Sequence, residues 1–119
     1  MKRAISAEAD LESGDGLDTI YIPQELNGYN LTDIAICIHT VSTSGLVTIQ
    51  LYNVTDSQDM LTTKATIDQG ERTSYTAVTQ PQVNGSYDDV ATGDRLRIDV
   101  DGKGTGVKGL DVYLTFEEA

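Results

Sequence analysis

Between Arg95 and Asp101 the chain alternates without a break: Leu96, Ile98 and Val100 fall on one side, and Arg95, Arg97, Asp99 and Asp101 on the other. The same pattern returns from Leu110 to Phe116, with Leu110, Val112, Leu114 and Phe116 opposed to Asp111, Tyr113 and Thr115. An amphipathic helix repeats its apolar positions every three to four residues, so a period of two belongs to strands with one dry and one wet face. Sheets of that kind are antiparallel and cover their dry face with a second layer. Gly102, Gly104, Gly106 and Gly109 separate the two segments. They are expected to turn the chain into a hairpin, with Asp101-Gly102 as its turn dipeptide.

The rest of the chain from Leu17 onward reads the same way. Leu17 to Ile22 alternates and stops at Pro23, which has no N–H for a sheet ladder. Leu31 to Val41 reads as a long strand, apolar on both faces through Ile34, Ile36 and Ile38 on one side and Ala35, Cys37 and Val41 on the other. Such a strand is expected at the centre of a sheet or at an interface. Val47 to Tyr52 and Met60 to Asp68 alternate, Arg72 to Val78 reads as a Ser- and Thr-rich strand, and Thr79 to Asp89 as a long loop. About eight strands at this spacing predict an all-β fold, a jelly-roll or Greek-key β-sandwich. A chain of 119 residues holds one such core. Residues 1–16 stand apart as an N-terminal arm ahead of a sandwich domain at 17–119. Within the arm, Ala4 to Leu11 has the composition for a turn or two of helix capped by Ser6, too short to persist alone.

The formal net charge is −11, from 19 acids against eight bases. Such a balance leaves no basic patch for a nucleic-acid backbone or an anionic membrane surface, so neither is expected as a partner. Self-repulsion keeps a chain of this charge dispersed. The single cysteine, Cys37, rules out an internal disulfide framework. No run approaches the roughly 20 apolar residues of a membrane helix. The basic start Met1-Lys2-Arg3 is followed by no hydrophobic signal region, so it does not read as a secretory signal, and synthesis in the cytoplasm is expected.

Residues with chemical potential are few. Cys37 and His39 share a strand face, but no third group orients the imidazole, and packing is the simpler role for both. Asp99-Val100-Asp101-Gly102 opens like a calcium loop and then lacks the later acids. Gly102-Lys103-Gly104-Thr105-Gly106 has neither the Lys-Ser/Thr ending nor the helix that a phosphate loop needs. The expectation is therefore a non-enzymatic protein with no catalytic residues, metal site or cofactor. Six tyrosines, Tyr21, Tyr29, Tyr52, Tyr75, Tyr87 and Tyr113, are candidate interface anchors or sugar platforms, although the Trp on which carbohydrate modules lean is absent.

Two strings carry a resemblance. One runs from Val47-Thr48-Ile49-Gln50-Leu51-Tyr52 through Asp59-Met60-Leu61-Thr62-Thr63-Lys64. The other runs from Asp89-Val90-Ala91-Thr92-Gly93-Asp94 through Lys108-Gly109-Leu110-Asp111-Val112-Tyr113-Leu114-Thr115-Phe116. They resemble segments of small all-β virion accessory proteins of tailed bacteriophages, of the capsid decoration and head-fibre type. The resemblance spans Leu17 to Phe116 and implies a β-sandwich displayed on a particle, often as a homotrimer. The expectation is a capsid decoration (cement) protein on the virion exterior, with the major capsid protein and further copies of itself as partners. The arm is then the capsid contact: the α-amino group of Met1, Lys2 and Arg3 face shell carboxylates, and Ile5 and Leu11 act as apolar anchors. Removing the arm is expected to abolish binding and leave the sandwich folded. The alternative is a receptor- or glycan-binding module of a tail or head fibre, using loops near Tyr52, Tyr75 and Tyr87.

Overall fold

The computed structural model describes residues 2–118, with side chains from residue 9 onward. Among these residues there are ten strands: β1 (Lys2–Asp10), β2 (Gly14–Tyr21), β3 (Tyr29–Cys37), β4 (Val47–Asn53), β5 (Gln58–Asp59), β6 (Leu61–Thr63), β7 (Ala65–Ile67), β8 (Gln82–Val83), β9 (Arg95–Lys103) and β10 (Lys108–Glu118). One sheet has the order β1-β10-β3. The other has the order β2-β9-β4-β5, with β7 also on β4, and β6 and β8 form a small ribbon. Every pairing is antiparallel. The first four strands alternate between the two sheets, and the first and last strands are neighbours, as are the second and second-last. That is the wiring of a jelly-roll sandwich. No helix among the described residues is long and apolar enough to cross a membrane.

The alternation read from the sequence sets the core. Leu96, Ile98 and Val100 of β9 and Val47, Ile49 and Leu51 of β4 form one buried layer. Ile34 and Ile36 of β3 with Leu110, Val112 and Leu114 of β10 form the other, and all belong to one hydrophobic cluster. Each such side chain contributes about 1.5–3 kcal/mol by leaving water.

The pairing of β9 with β10 differs from the expected hairpin: the two strands lie in opposite sheets. Alternation shows that each has a dry face, but not whether the dry faces lie side by side or oppose each other across a core. The connection is an arch, with Gly104, Gly106 and Gly109 all at positive φ. It rests on the Ser42 loop, where Ser42 Oγ accepts the Thr105 N–H at 3.1 Å and Thr43 N–H donates to the Thr105 carbonyl at 3.0 Å. A Cβ on Gly104 would lie 2.5 Å from Ser42 Oγ, so the close approach itself requires glycine. Asp101-Gly102 is not a turn either. Gly102 pairs with Thr48 inside the β4–β9 ladder, just past an irregularity that leaves Asp101 without an opposite residue.

Two further expectations change. The strand from Tyr29 lies at the edge of its sheet, with β10 in the centre. Its outer edge has a cover: Ile38 N–H donates to the Arg72 carbonyl, Ile36 N–H to Ser74 Oγ and Leu31 N–H to the Asp88 carbonyl. The segment from Arg72 that supplies this cover is not a strand but a 3-10 turn at Ser74–Thr76. Thr76 Oγ1 donates to the Thr73 carbonyl within the turn and Ser74 Oγ takes the Ile36 N–H, side-chain bonds that compete with a regular ladder. At the other side, Ala4 to Leu11 is not helical. Lys2–Asp10 is strand β1 on β10, in register Lys2↔Tyr113, Ile5↔Leu110 and Asp10↔Lys108, with an irregularity between Ile5 and Asp10. The edge of β10 offers these residues the backbone partners that a single helical turn cannot supply.

Candidate functional site

The residues expected to meet a shell converge only in part. Lys2, Arg3 and Ile5 stand on β1, opposite Tyr113, Val112 and Leu110 of β10. Their side chains, like all of Met1, lie outside the described residues. β1 is the edge of its sheet and β2 the edge of the other, so residues 2–21 form one flank of the sandwich. Leu11 sits apart from Lys2 and Arg3, at the arch between β1 and β2. It is 3% exposed and belongs to the chain's own core, and its N–H donates to the Val107 carbonyl at 3.0 Å. As an anchor it therefore holds the sandwich rather than a partner. The β1–β2 and β9–β10 arches stack there around a cleft of about 280 Å³ lined by Glu12, Lys103, Gly104 and Val107. Two loose ion pairs, Lys103–Glu12 and Lys108–Asp10, each at 3.9 Å, cross between them.

A second cluster was not singled out by sequence. On the outer face of β9, Arg97 grips Asp99 with two hydrogen bonds, Nε to Oδ1 at 2.7 Å and Nη2 to Oδ2 at 2.9 Å. Its guanidinium lies over the Tyr52 ring at 4.5 Å and reaches Asp15 at 3.5 Å. Asp99 Oδ1 also accepts the Gly16 N–H at 3.0 Å, which ties the start of β2 to β9. The Asp99 hydrogen bond, offset in part by desolvation, raises the Arg97 pKa above its ordinary value. Alternation puts Asp99 on the wet face, yet it is 4% exposed. The available signal was the Arg-x-Asp spacing, which sets two opposite charges side by side on one strand face.

The remaining candidates are dispersed. His39 is largely exposed and lies 3.9 Å from Asp111, while Cys37 is half-buried at the end of β3. Lys64 Nζ meets Asp101 at 2.8 Å, and that contact raises the lysine pKa. Asp56 shares a loop end with Asn53 and Asp94, whose side chains hydrogen-bond at 3.5 Å. Partial desolvation, then the charges of Asp94 and Asp89, push the Asp56 pKa up. No group of three potential metal ligands occurs among the described residues. Of the tyrosines, Tyr52 is engaged by Arg97 and Tyr29 donates to Glu118, whereas Tyr21 and Tyr75 are 65% and 68% exposed.

Fold and surface together define an all-β sandwich with two differently finished flanks, an edge strand on one side and a hydrogen-bonded loop on the other. No family model, curated protein or solved structure matches the chain.

Proposed function

We propose that this chain is a capsid decoration protein of a tailed bacteriophage, bound to the virion exterior through its N-terminal segment and present as an oligomer. The observation that carries the reading is the position of β1. It is an edge strand whose start holds Lys2 and Arg3, two of only eight bases in a chain of net charge −11. An edge strand offers a row of backbone donors and acceptors to a partner. Two cations at its tip favour a carboxylate-bearing surface, and by charge they set contact geometry and association rate more than affinity.

The position of Leu11 changes the experiment. Truncation to Gly16 would remove a core side chain and uncover β10, so loss of binding would not distinguish contact from unfolding. Charge reversal of Lys2 and Arg3 to Glu retains Leu11 and the full length of β1. In co-sedimentation with capsids stripped of this protein, the reversed variant is expected to bind at least about tenfold more weakly, the effect of roughly 1.4 kcal/mol. Its thermal unfolding, measured alongside, separates a lost contact from a lost fold. Undiminished binding would refute the arm as the contact.

A second reading, a receptor- or glycan-binding module of a fibre, draws support from the exposed Tyr75 and Tyr87 rings. Binding of the isolated protein to host polysaccharide, with only a few copies per virion, would favour it.

A further inference from the structure

The flank opposite β1 is closed by residues 73–89, which run beside β3 from the bridge Cys37↔Thr73 to the bridge Asn30↔Asp89. From Thr73 to Tyr87 this segment contains no Asp, Glu, Lys or Arg, in a chain where 23% of residues are charged. A longer uncharged run, 34–55, contains the buried strand β4 and much of β3, whereas 73–87 lies mostly on the surface. Val78 is 91% exposed and Tyr75 68% exposed, with Tyr87 further along.

These side chains are held out by a fixed scaffold. Gln80 Nε2 donates to the carbonyls of Ser74 and Ala77 at 2.9 and 2.8 Å, and Val78 N–H donates to Asp68 Oδ2 at 3.0 Å. Ser74 Oγ accepts the Ile36 N–H at 3.0 Å, and Ala77 is buried beneath the turn. A single exposed apolar side chain is ordinary. A rigid, charge-free segment presenting Tyr and Val together has the composition of an interface centre, where charges are depleted and aromatic residues enriched. Because the segment is already ordered, little conformational entropy is lost on docking.

The charge of the chain selects the occupant. A basic partner would gain most from the acidic remainder of the surface, not from its neutral part. Two chains each at −11 repel least where carboxylates are fewest, and the carboxylate bound to this segment, that of Asp68, is engaged by the Val78 N–H. We propose that Thr73–Tyr87, centred on Tyr75 and Val78, is the surface through which copies of this chain associate with one another. This deepens the oligomeric part of the proposed function and needs no capsid, so the two can fail separately.

The test is sedimentation equilibrium of the full chain across the micromolar range, in low and high salt. The wild type is expected to form a closed oligomer that tightens as salt rises, because screening removes repulsion between carboxylates. Val78→Asp is expected to raise the dissociation constant at least about thirty-fold, as for a hot-spot position. Tyr75→Ser should weaken association without adding charge, and Tyr21→Asp, on the other flank, should leave it unchanged. Capsid co-sedimentation of the Val78→Asp protein reports the shell contact independently. A monomeric wild type, an oligomer that loosens with salt, or one that withstands Val78→Asp would each overturn the proposal. Dissociation by Tyr21→Asp alone would move the interface to β2.

Discussion

Replacing Arg97 by Met tests whether the outer face of β9 is a solvated surface or a part of the fold's interior. Asp99 accepts three hydrogen bonds, two from the Arg97 guanidinium and one from the Gly16 N–H, and is 4% exposed. The substitution leaves that carboxylate buried with one donor. Hydrogen bonds to charged groups contribute about 1.5–3 kcal/mol each, which for two would exceed 3. The Arg97 side chain is nearly one-third exposed, so screening reduces the sum. Breaking a buried pair by removing one partner costs about 3–5 kcal/mol, and the lower end applies here. An expected loss of about 3 kcal/mol corresponds to a fall in Tm of roughly 10–15 °C for a domain of this size. Arg97→Met combined with Asp99→Leu removes both charges and should recover all but about 1 kcal/mol, since well-packed apolar replacements of such pairs are often neutral. The assay is urea unfolding at pH 7 for the wild type, both single variants and the double variant, read as midpoints at constant slope. A loss below about 0.5 kcal/mol for Arg97→Met, the behaviour of an exposed pair, would refute the reasoning.

Asp56 carries a pKa raised above 3.8 by desolvation and by the charges of Asp94 and Asp89. Its folded form therefore holds a proton more tightly than the unfolded chain, so stability from this site is present at low pH and lost as pH rises through the raised pKa. Asp56→Asn is expected to melt above the wild type at pH 7 and to match it well below pH 3.8, where both states of the wild type are protonated. A less stable variant at pH 7 would mean that the Asn53 contact outweighs the repulsion. In the β9–β10 arch, Gly106→Ala meets open space and should cost about 1 kcal/mol for its positive φ alone. Gly104→Ala also drives a methyl into Ser42 and should cost about 3 kcal/mol or more in the same urea assay, the overpacking penalty being added. Equal costs at the two positions would show that the arch can move away from Ser42.

Where sequence reading succeeded, a residue's solvent exposure followed from its parity along a strand. Leu96, Ile98, Val100, Leu110, Val112 and Leu114 were legible as core for that reason, and with them the all-β sandwich. Parity does not carry information across strands. It could not show that β9 and β10 lie in opposite sheets, nor that Asp99 and Asp101, two positions apart on one face, differ in environment. Asp99 is enclosed by Arg97 of its own strand and by Gly16 of the neighbouring β2, while Asp101 pairs with Lys64 near the surface. The same gap explains Leu11. Its apolar side chain in an acidic segment reads as an anchor for something else, and only the stacking of two arches reveals that the something else is the chain's own core. The Ser- and Thr-rich segment from Thr73 shows the opposite limit. Its hydrogen-bonding groups are compatible with a strand, but the amide of Gln80, reaching back to Ser74 and Ala77, turns them into a cap. A sheet edge closed in this way presents side chains instead of backbone. The two flanks consequently offer different chemistry: β1 leaves backbone groups at a sheet edge, in a strand whose sequence begins Lys2-Arg3, and the capped flank keeps neutral apolar groups. The fold keeps the two apart by placing the first strand and the long loop on opposite sides of β10 and β3, so the proposed shell contact and the proposed contact between copies can be altered one at a time.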